Sequence, residues 1–127
     1  MPEPSIERRK SVVYLAGPYR DHRGPFFIYE NVLRARAIAF SIWKLGFSVV
    51  CPHANSFLSD GMVPDDFILA GYLEILRRCD VMVVWETHNH HGVESSGVQA
   101  EIAEAIDSGI PVVMLDKFMS GLYANFK

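Results

Sequence analysis

Cysteine is scarce in this sequence. Its 127 residues hold only two, Cys51 and Cys79, one at the predicted end of a strand and one at the predicted end of a helix. Isolated cysteines in such places act as small buried hydrophobes, so no disulfide is expected. Positive charge is also short: 12 Lys and Arg stand against 15 Asp and Glu, a net charge of −3. A face that binds a polyanion needs a basic excess to release counterions, which excludes nucleic acid as a partner. Only the first ten residues look basic, and Glu3 and Glu7 dilute them; a tail is expected there. No apolar run approaches the ~20 residues of a membrane span, which argues against a membrane partner. No basic-then-apolar segment opens the chain, so a cytoplasmic location is expected.

What is present suits a packed core. Half of the residues are hydrophobic and 21% are charged. The length fits one domain, residues 1–127, with neither internal repeats nor low-complexity stretches. Strand and helix signals alternate with short connections. Ser11 to Ala16 reads as a strand closed by Gly17-Pro18. Asn31 to Leu45 carries apolar side chains at helical spacing (Val32, Leu33, Ala35, Ile38, Ala39, Ile42), and Gly46 ends it. Phe47 to Cys51 is a second strand, followed by a long loop to about Pro64. Asp65 or Asp66 is expected to cap a helix over Phe67 to Arg78. Asp80 to Trp85 is the third strand, Ser96 to Ser108 the third helix, and Val112 to Leu115 the fourth strand. Short, β-branched, almost continuously apolar strands belong to a parallel sheet covered on both faces. The expected fold is α/β: a small doubly wound three-layer sandwich.

Polar chemistry clusters in the loops at the carboxyl edge of this sheet, where ligands of open α/β folds bind. After the first strand comes Gly17-Pro18-Tyr19-Arg20-Asp21-His22-Arg23-Gly24. Gly17 permits a sharp turn, exposed amides suit an anion, and Arg20 and Arg23 add donors. An ordinary surface turn reads the same way. The loop has neither a GxGxxG fingerprint nor a Walker A pattern. After the second strand, His53 and Asn55 can hydrogen-bond a heterocyclic base and Phe57 can stack on one, although His and Asn are also common turn residues. The Tyr14 hydroxyl, on a buried strand, must find a partner or open into the cleft. His88-Asn89-His90-His91 matches no metal-ligand spacing, and neither a metal nor another cofactor is expected.

The third junction is the most informative: Glu94-Ser95-Ser96-Gly97-Val98-Gln99-Ala100-Glu101 follows the strand Val81 to Trp85. Glu101 shares a helix side with Val98, Ile102 and Ala105, the side turned to the sheet, whereas Glu104 and Asp107 fall nearer solvent. A carboxylate facing inward needs a reason. Desolvation favours its neutral form, so Ser95, Ser96 or backbone amides are expected to keep it charged. A fixed carboxylate near a helix N-terminus suits a nucleophile.

Three stretches, Val13-Tyr14-Leu15-Ala16-Gly17-Pro18-Tyr19-Arg20, Cys79-Asp80-Val81-Met82-Val83 and Ser95-Ser96-Gly97-Val98-Gln99-Ala100-Glu101-Ile102, resemble the nucleoside 2-deoxyribosyltransferase superfamily. The chain looks closest to its small uncharacterised branch with a Leu-Ala-Gly-Pro-Tyr-Arg start, and is similar to the nucleoside 5′-monophosphate N-glycosidases. The likeness runs from about Val12 to Leu115, and Ser95-x-Gly97-(x)₃-Glu101 is its most specific element. The resemblance implies that Glu101 is the nucleophile at the anomeric carbon, with Tyr14 close by. It implies that Gly17, Tyr19 and Arg20 form a turn around a 5′-phosphate, which Ser95 also contacts. It implies a homodimer or larger assembly in which C-terminal residues such as Asn125 complete a neighbour's site. The aromatic C-terminal stretch Phe118, Leu122, Tyr123 and Phe126 is expected to bury against a partner subunit or its own domain.

One departure stands out. The aspartate that protonates the leaving base in the family lies eight residues before the Asp80 position, where this chain has Tyr72. Tyrosine, with an ordinary pKa near ~10, is a poor donor to a leaving base at neutral pH. Tyr72, Asp65 or Asp66 must serve, or the step is absent. The expected function is N-glycosidic cleavage or transfer on a nucleoside or nucleoside 5′-monophosphate. A non-catalytic nucleotide-binding domain of the same fold is the alternative. Phe26, Phe27, Tyr29 and Trp85 are candidates to stack on the base.

Overall fold

In a computed structural model, residues 10–20, 23–56, 61–88, 92 and 94–121 are described. The strands are β1 (Val12–Ala16), β2 (Ser48–Val50), β3 (Val81–Val84) and β4 (Val112–Met114). The helices are α1 (Pro25–Trp43), α2 (Pro52–Asn55), α3 (Asp65–Leu76), α4 (Ser96–Asp107) and α5 (Leu115–Met119). All strand pairings are parallel and the order is β2-β1-β3-β4. The chain steps outward from β1 to β2, then crosses back to β3. The gap between the ends of β1 and β3 is therefore the topological switch point of the sheet.

Alternation along the strands sorts the core into two layers. Val13, Leu15, Val81 and Val83 point to one face, where they meet Ala39 and Ile42 of α1 and Phe118 of α5. Tyr14, Ala16, Met82 and Val84 point to the other, against Tyr72 and Leu76 of α3 and Val98 and Ala105 of α4. The doubly wound three-layer sandwich expected from the sequence is the fold observed. Register sets Tyr14 beside Val50 on one side and Met82 on the other, at mid-strand in a fully buried position.

Several boundaries differ from expectation for identifiable reasons. Helix α1 starts at Pro25 rather than Asn31, because proline at the first helical position gives up an N–H that has no intrahelical partner anyway. Pro52 does the same for α2, which occupies the start of the expected long loop. Pro64, and neither Asp65 nor Asp66, takes the cap position of α3; the two aspartates fill its first turn, where their negative charge complements the positive end of the helix dipole. Leu115 begins the short helix α5 instead of ending β4. Both cysteines are free. Burial raises the pKa of both thiols, that of Cys79 to about 11, which leaves them poor nucleophiles. Among the described residues no helix is long and apolar enough to cross a membrane. The expected tail over the first residues, Asp21, His22, Phe57, Asn89, His90, His91, Leu122, Tyr123, Asn125 and Phe126 lie outside the described residues.

Candidate functional site

A cavity of about 390 Å³ opens at the carboxyl edge of the sheet, on the face covered by α3 and α4. Its walls come from the end of β1 and the turn after it, from α2, from one side of α3, and from the N-terminal turns of α4. Gly17, Tyr19, Arg20, His53, Tyr72, Ser95, Ser96, Gly97 and Glu101 all contribute. Asn55 and Asp66 do not. Asp65 does, in place of Asp66.

Glu101 is only 9% exposed. The Tyr14 hydroxyl donates a short hydrogen bond to its Oε2. This is the partner that sequence reasoning sought in Ser95, Ser96 or backbone amides. Ser95 instead caps α4, its Oγ accepting from the Val98 amide at 3.3 Å. Burial pushes the Glu101 pKa up to about 7, against the opposing pull of the Tyr14 bond. Burial, and then the neighbouring Glu101 charge, push the Tyr14 phenol far above its ordinary range, so Tyr14 keeps its proton and acts as a donor. Replacing it should move Glu101 further from ionisation. In Tyr14→Phe, the rising acidic limb of any Glu101-dependent rate is expected to shift to higher pH by about one unit, read from a pH–rate profile.

Tyr72 is buried and its hydroxyl is fully engaged. It donates to the Pro52 carbonyl at 3.2 Å and accepts from Asn55 Nδ2 at 3.0 Å. Asn55 thus positions Tyr72 from behind rather than facing the cavity. His53 is tied back in a similar way. Its Nε2 lies 2.9 Å from the Pro18 carbonyl and must donate to it, which leaves Nδ1 as a buried acceptor without a partner. Burial lowers the His53 pKa, consistent with a neutral ring. At the mouth, Arg20 Nη2 lies 2.9 Å from Asp65 Oδ2, both side chains being largely exposed. Asp66 turns to its own neighbour, accepting from the Phe67 amide at 3.0 Å.

The aromatic candidates divide by element. None of the stacking candidates Phe26, Phe27, Tyr29 and Trp85 lines the cavity, where Tyr19 and Tyr72 stand instead; Phe26, Phe27 and Tyr29 lie on α1 across the sheet. Trp85 lies against Gly17 and walls a second, smaller space of about 160 Å³ with Arg23, Glu30, Arg34 and His88. Asp65 as the cation's partner, and Asn55 as the donor to Tyr72, were missed. Only the helical spacing of Asp65, Leu69 and Tyr72 hinted at the first, and nothing local signalled the second. Among the described residues no group of three or more His, Cys, Asp or Glu is placed to hold a metal ion.

No family model and no curated protein matches the sequence. Among solved structures, a 2-deoxyribosyltransferase from the psychrotolerant bacterium Bacillus psychrosaccharolyticus superposes with a TM-score of 0.57 and 17% sequence identity. The match covers 82% of this chain and 71% of that one. At that identity the likeness is one of architecture, and this chain shares the α/β fold of that transferase.

Proposed function

We propose that this protein cleaves or transfers the N-glycosidic bond of a nucleoside or nucleoside 5′-monophosphate, with Glu101 as the nucleophile. The observation that carries this reading is the buried Glu101 carboxyl, held by the Tyr14 hydroxyl in the wall of a 390 Å³ cavity. That volume suits a small ligand, and the site sits where open α/β sheets bind them. The shared fold with a 2-deoxyribosyltransferase supports the same class of chemistry.

In this scheme the sugar lies over Glu101 while the α4 N-terminus and Arg20 hold its 5′ end. As the C1′–N bond lengthens, positive charge develops on the sugar ring. Ionised Glu101 stabilises that charge and then closes on C1′ as a glycosyl ester. Water or a second base opens the ester, so hydrolysis and transfer share their first half. With its pKa near 7, Glu101 gains nucleophilic form as pH rises through neutrality.

A nucleotide-binding domain without turnover is the second reading. Tyr72 favours it, since its proton is already given to the Pro52 carbonyl. Chromatographic detection of free base from a panel of nucleosides and 5′-monophosphates separates the two. Release by the wild type but not by Glu101→Gln or Glu101→Ala is expected. A nucleotide-induced thermal shift with no release from any compound would favour the binding domain.

Self-association belongs to the same proposal. Phe26, Tyr29, Leu33, Phe40 and Trp43 form an exposed apolar strip along α1, beside its buried face. A second copy of this chain is the occupant proposed for that strip, in a closed two-fold pair that buries the same face of both. Light scattering should report a dimer, and Phe40→Glu with Trp43→Glu a monomer; an unchanged mass would exclude this face.

A further inference from the structure

The N-glycosidic reading leaves one demand unmet, because an ordinary purine or pyrimidine leaves readily only if something protonates it. Around this cavity the buried donors are committed, among the described residues, and Glu94 lines it only as an exposed side chain. Tyr72 gives its proton to Pro52, and Tyr14 gives its own to Glu101. His53 spends its one N–H on the Pro18 carbonyl and offers only a lone pair at Nδ1. The Asp65 carboxylate accepts from Arg20, and in that pairing presents acceptors alone. Asp66 stands outside the cavity and accepts from a backbone amide.

The charge of the lining points the same way. Arg20 is the one Lys or Arg in the described wall, and Asp65 already pairs with it; Glu94 adds a further carboxylate, and Glu101 another once it ionises. Carboxylates so placed attract a cation. Tyr19 and Tyr72 add aromatic rings to the described wall, and the Arg20 guanidinium already lies 5.5 Å from the Tyr19 ring centre, a cation held on an aromatic face.

Building on the N-glycosidic reading, we infer that the substrate's base carries a fixed positive charge in the ring that holds the glycosidic nitrogen. An N-ribosyl pyridinium or an N7-alkylated purine nucleoside has this chemistry. Such a base leaves as a neutral molecule. Glu101 bonds to C1′, the C1′–N bond breaks, and its electron pair passes into the ring and cancels the positive charge. Water then adds to C1′ and displaces Glu101, and its proton is lost to solvent. No proton from the protein enters the cleavage step. A cation beside Glu101 also favours the ionised carboxylate, countering the burial that opposes it.

The test compares base release from 7-methylguanosine and nicotinamide riboside with release from guanosine, adenosine, cytidine and thymidine. Each rate is corrected for its rate in buffer, and Glu101→Gln is run beside the wild type. A general acid contributes about 10²- to 10⁴-fold, so kcat/KM for 7-methylguanosine should exceed that for guanosine by at least about 100-fold. Both charged substrates should lose turnover in Glu101→Gln. Turnover of guanosine or another uncharged nucleoside within about tenfold of 7-methylguanosine would overturn the inference and leave Glu101 as nucleophile, since the protein would then be supplying the proton. Release of charged bases that survives Glu101→Gln, or no release from any compound, would overturn both readings.

Discussion

Glu101→Gln is expected to abolish base release and, in the same molecule, to raise stability by an amount that grows with pH. The first half follows from chemistry. An amide oxygen is too weak a nucleophile to capture C1′, so kcat should fall by about 1,000-fold or more while ligand binding survives. The second half follows from burial. Folding places this carboxyl where its pKa rises from the ordinary 4.5 to about 7. Between those two values the folded state holds a proton that the unfolded state has lost, so stability falls as pH climbs through that window. The contribution is fully present below about pH 4.5 and gone above about pH 7, a difference on the order of 3 kcal/mol. Glutamine mimics the protonated acid at every pH and still offers Tyr14 a carbonyl oxygen. Thermal melts at pH 8 should therefore show the variant above the wild type by roughly 10 °C, with most of the gap closed by pH 5. A constant gap across that range would mean that the carboxyl is not desolvated as the structure has it. The cost carried by the wild type at neutral pH is what a retained reactive group entails, which is why activity and stability should move in opposite directions here.

The parity of the strands explains why much of this was legible in advance. Tyr14 and Ala16 share a face with Met82 and Val84, and the apolar spacing Val98, Ile102, Ala105 puts Glu101 on the side of α4 that meets that face. Two short-period rules, one per element, thus bring a tyrosine and a glutamate 87 residues apart into contact. What escaped the sequence depends on the loops. Reading the residues alone assigned Glu101 to nearby serines or backbone amides because a local partner is the default for an acid close to a helix N-terminus. Tyr14 is remote in sequence; the family resemblance put it near Glu101, and the sheet register makes it the hydrogen-bond partner. Tyr72 was recognised as a departure, but its engagement with Pro52 and Asn55 depends on α2. That four-residue helix is too short for any periodicity to announce it. The early start of α1 was hidden because Phe26 and Tyr29 lie on the exposed side of the helix, off the buried stripe of Val32, Ala35, Ala39 and Ile42 that carries the periodicity.

The largest effect on folding is expected at Gly17, and its cause is a neighbour rather than a backbone angle. A Cβ placed on Gly17 would lie 2.0 Å from both Cε2 and Nε1 of Trp85 and 2.6 Å from Cδ1. No methyl fits there without moving the indole. The indole packs on the cluster that holds Val81, Val83 and Phe118, with the Arg34 guanidinium 5.6 Å from its ring centre, so yielding toward the 160 Å³ space it walls would break that packing. Gly17 also opens the turn that carries Tyr19 and Arg20 into the cavity, so relief by shifting the backbone would displace the residues proposed to hold the 5′ end. Gly17→Ala should cost about 3 kcal/mol or more, at the upper end for an overpacked site. Removing the obstacle should remove the penalty. Trp85→Ala alone costs the lost packing of a half-buried indole, but with Trp85→Ala present Gly17→Ala should cost less than about 1 kcal/mol, giving a coupling energy of roughly 2 kcal/mol in a denaturant-unfolding cycle. Additive losses would place the strain in the turn itself. Because the double variant clears the clash while leaving Glu101 and Tyr14 untouched, its base release reports whether the Gly17 turn positions the sugar: recovered stability with depressed kcat/KM would assign it that task, and full recovery of both would make Gly17 a packing residue only.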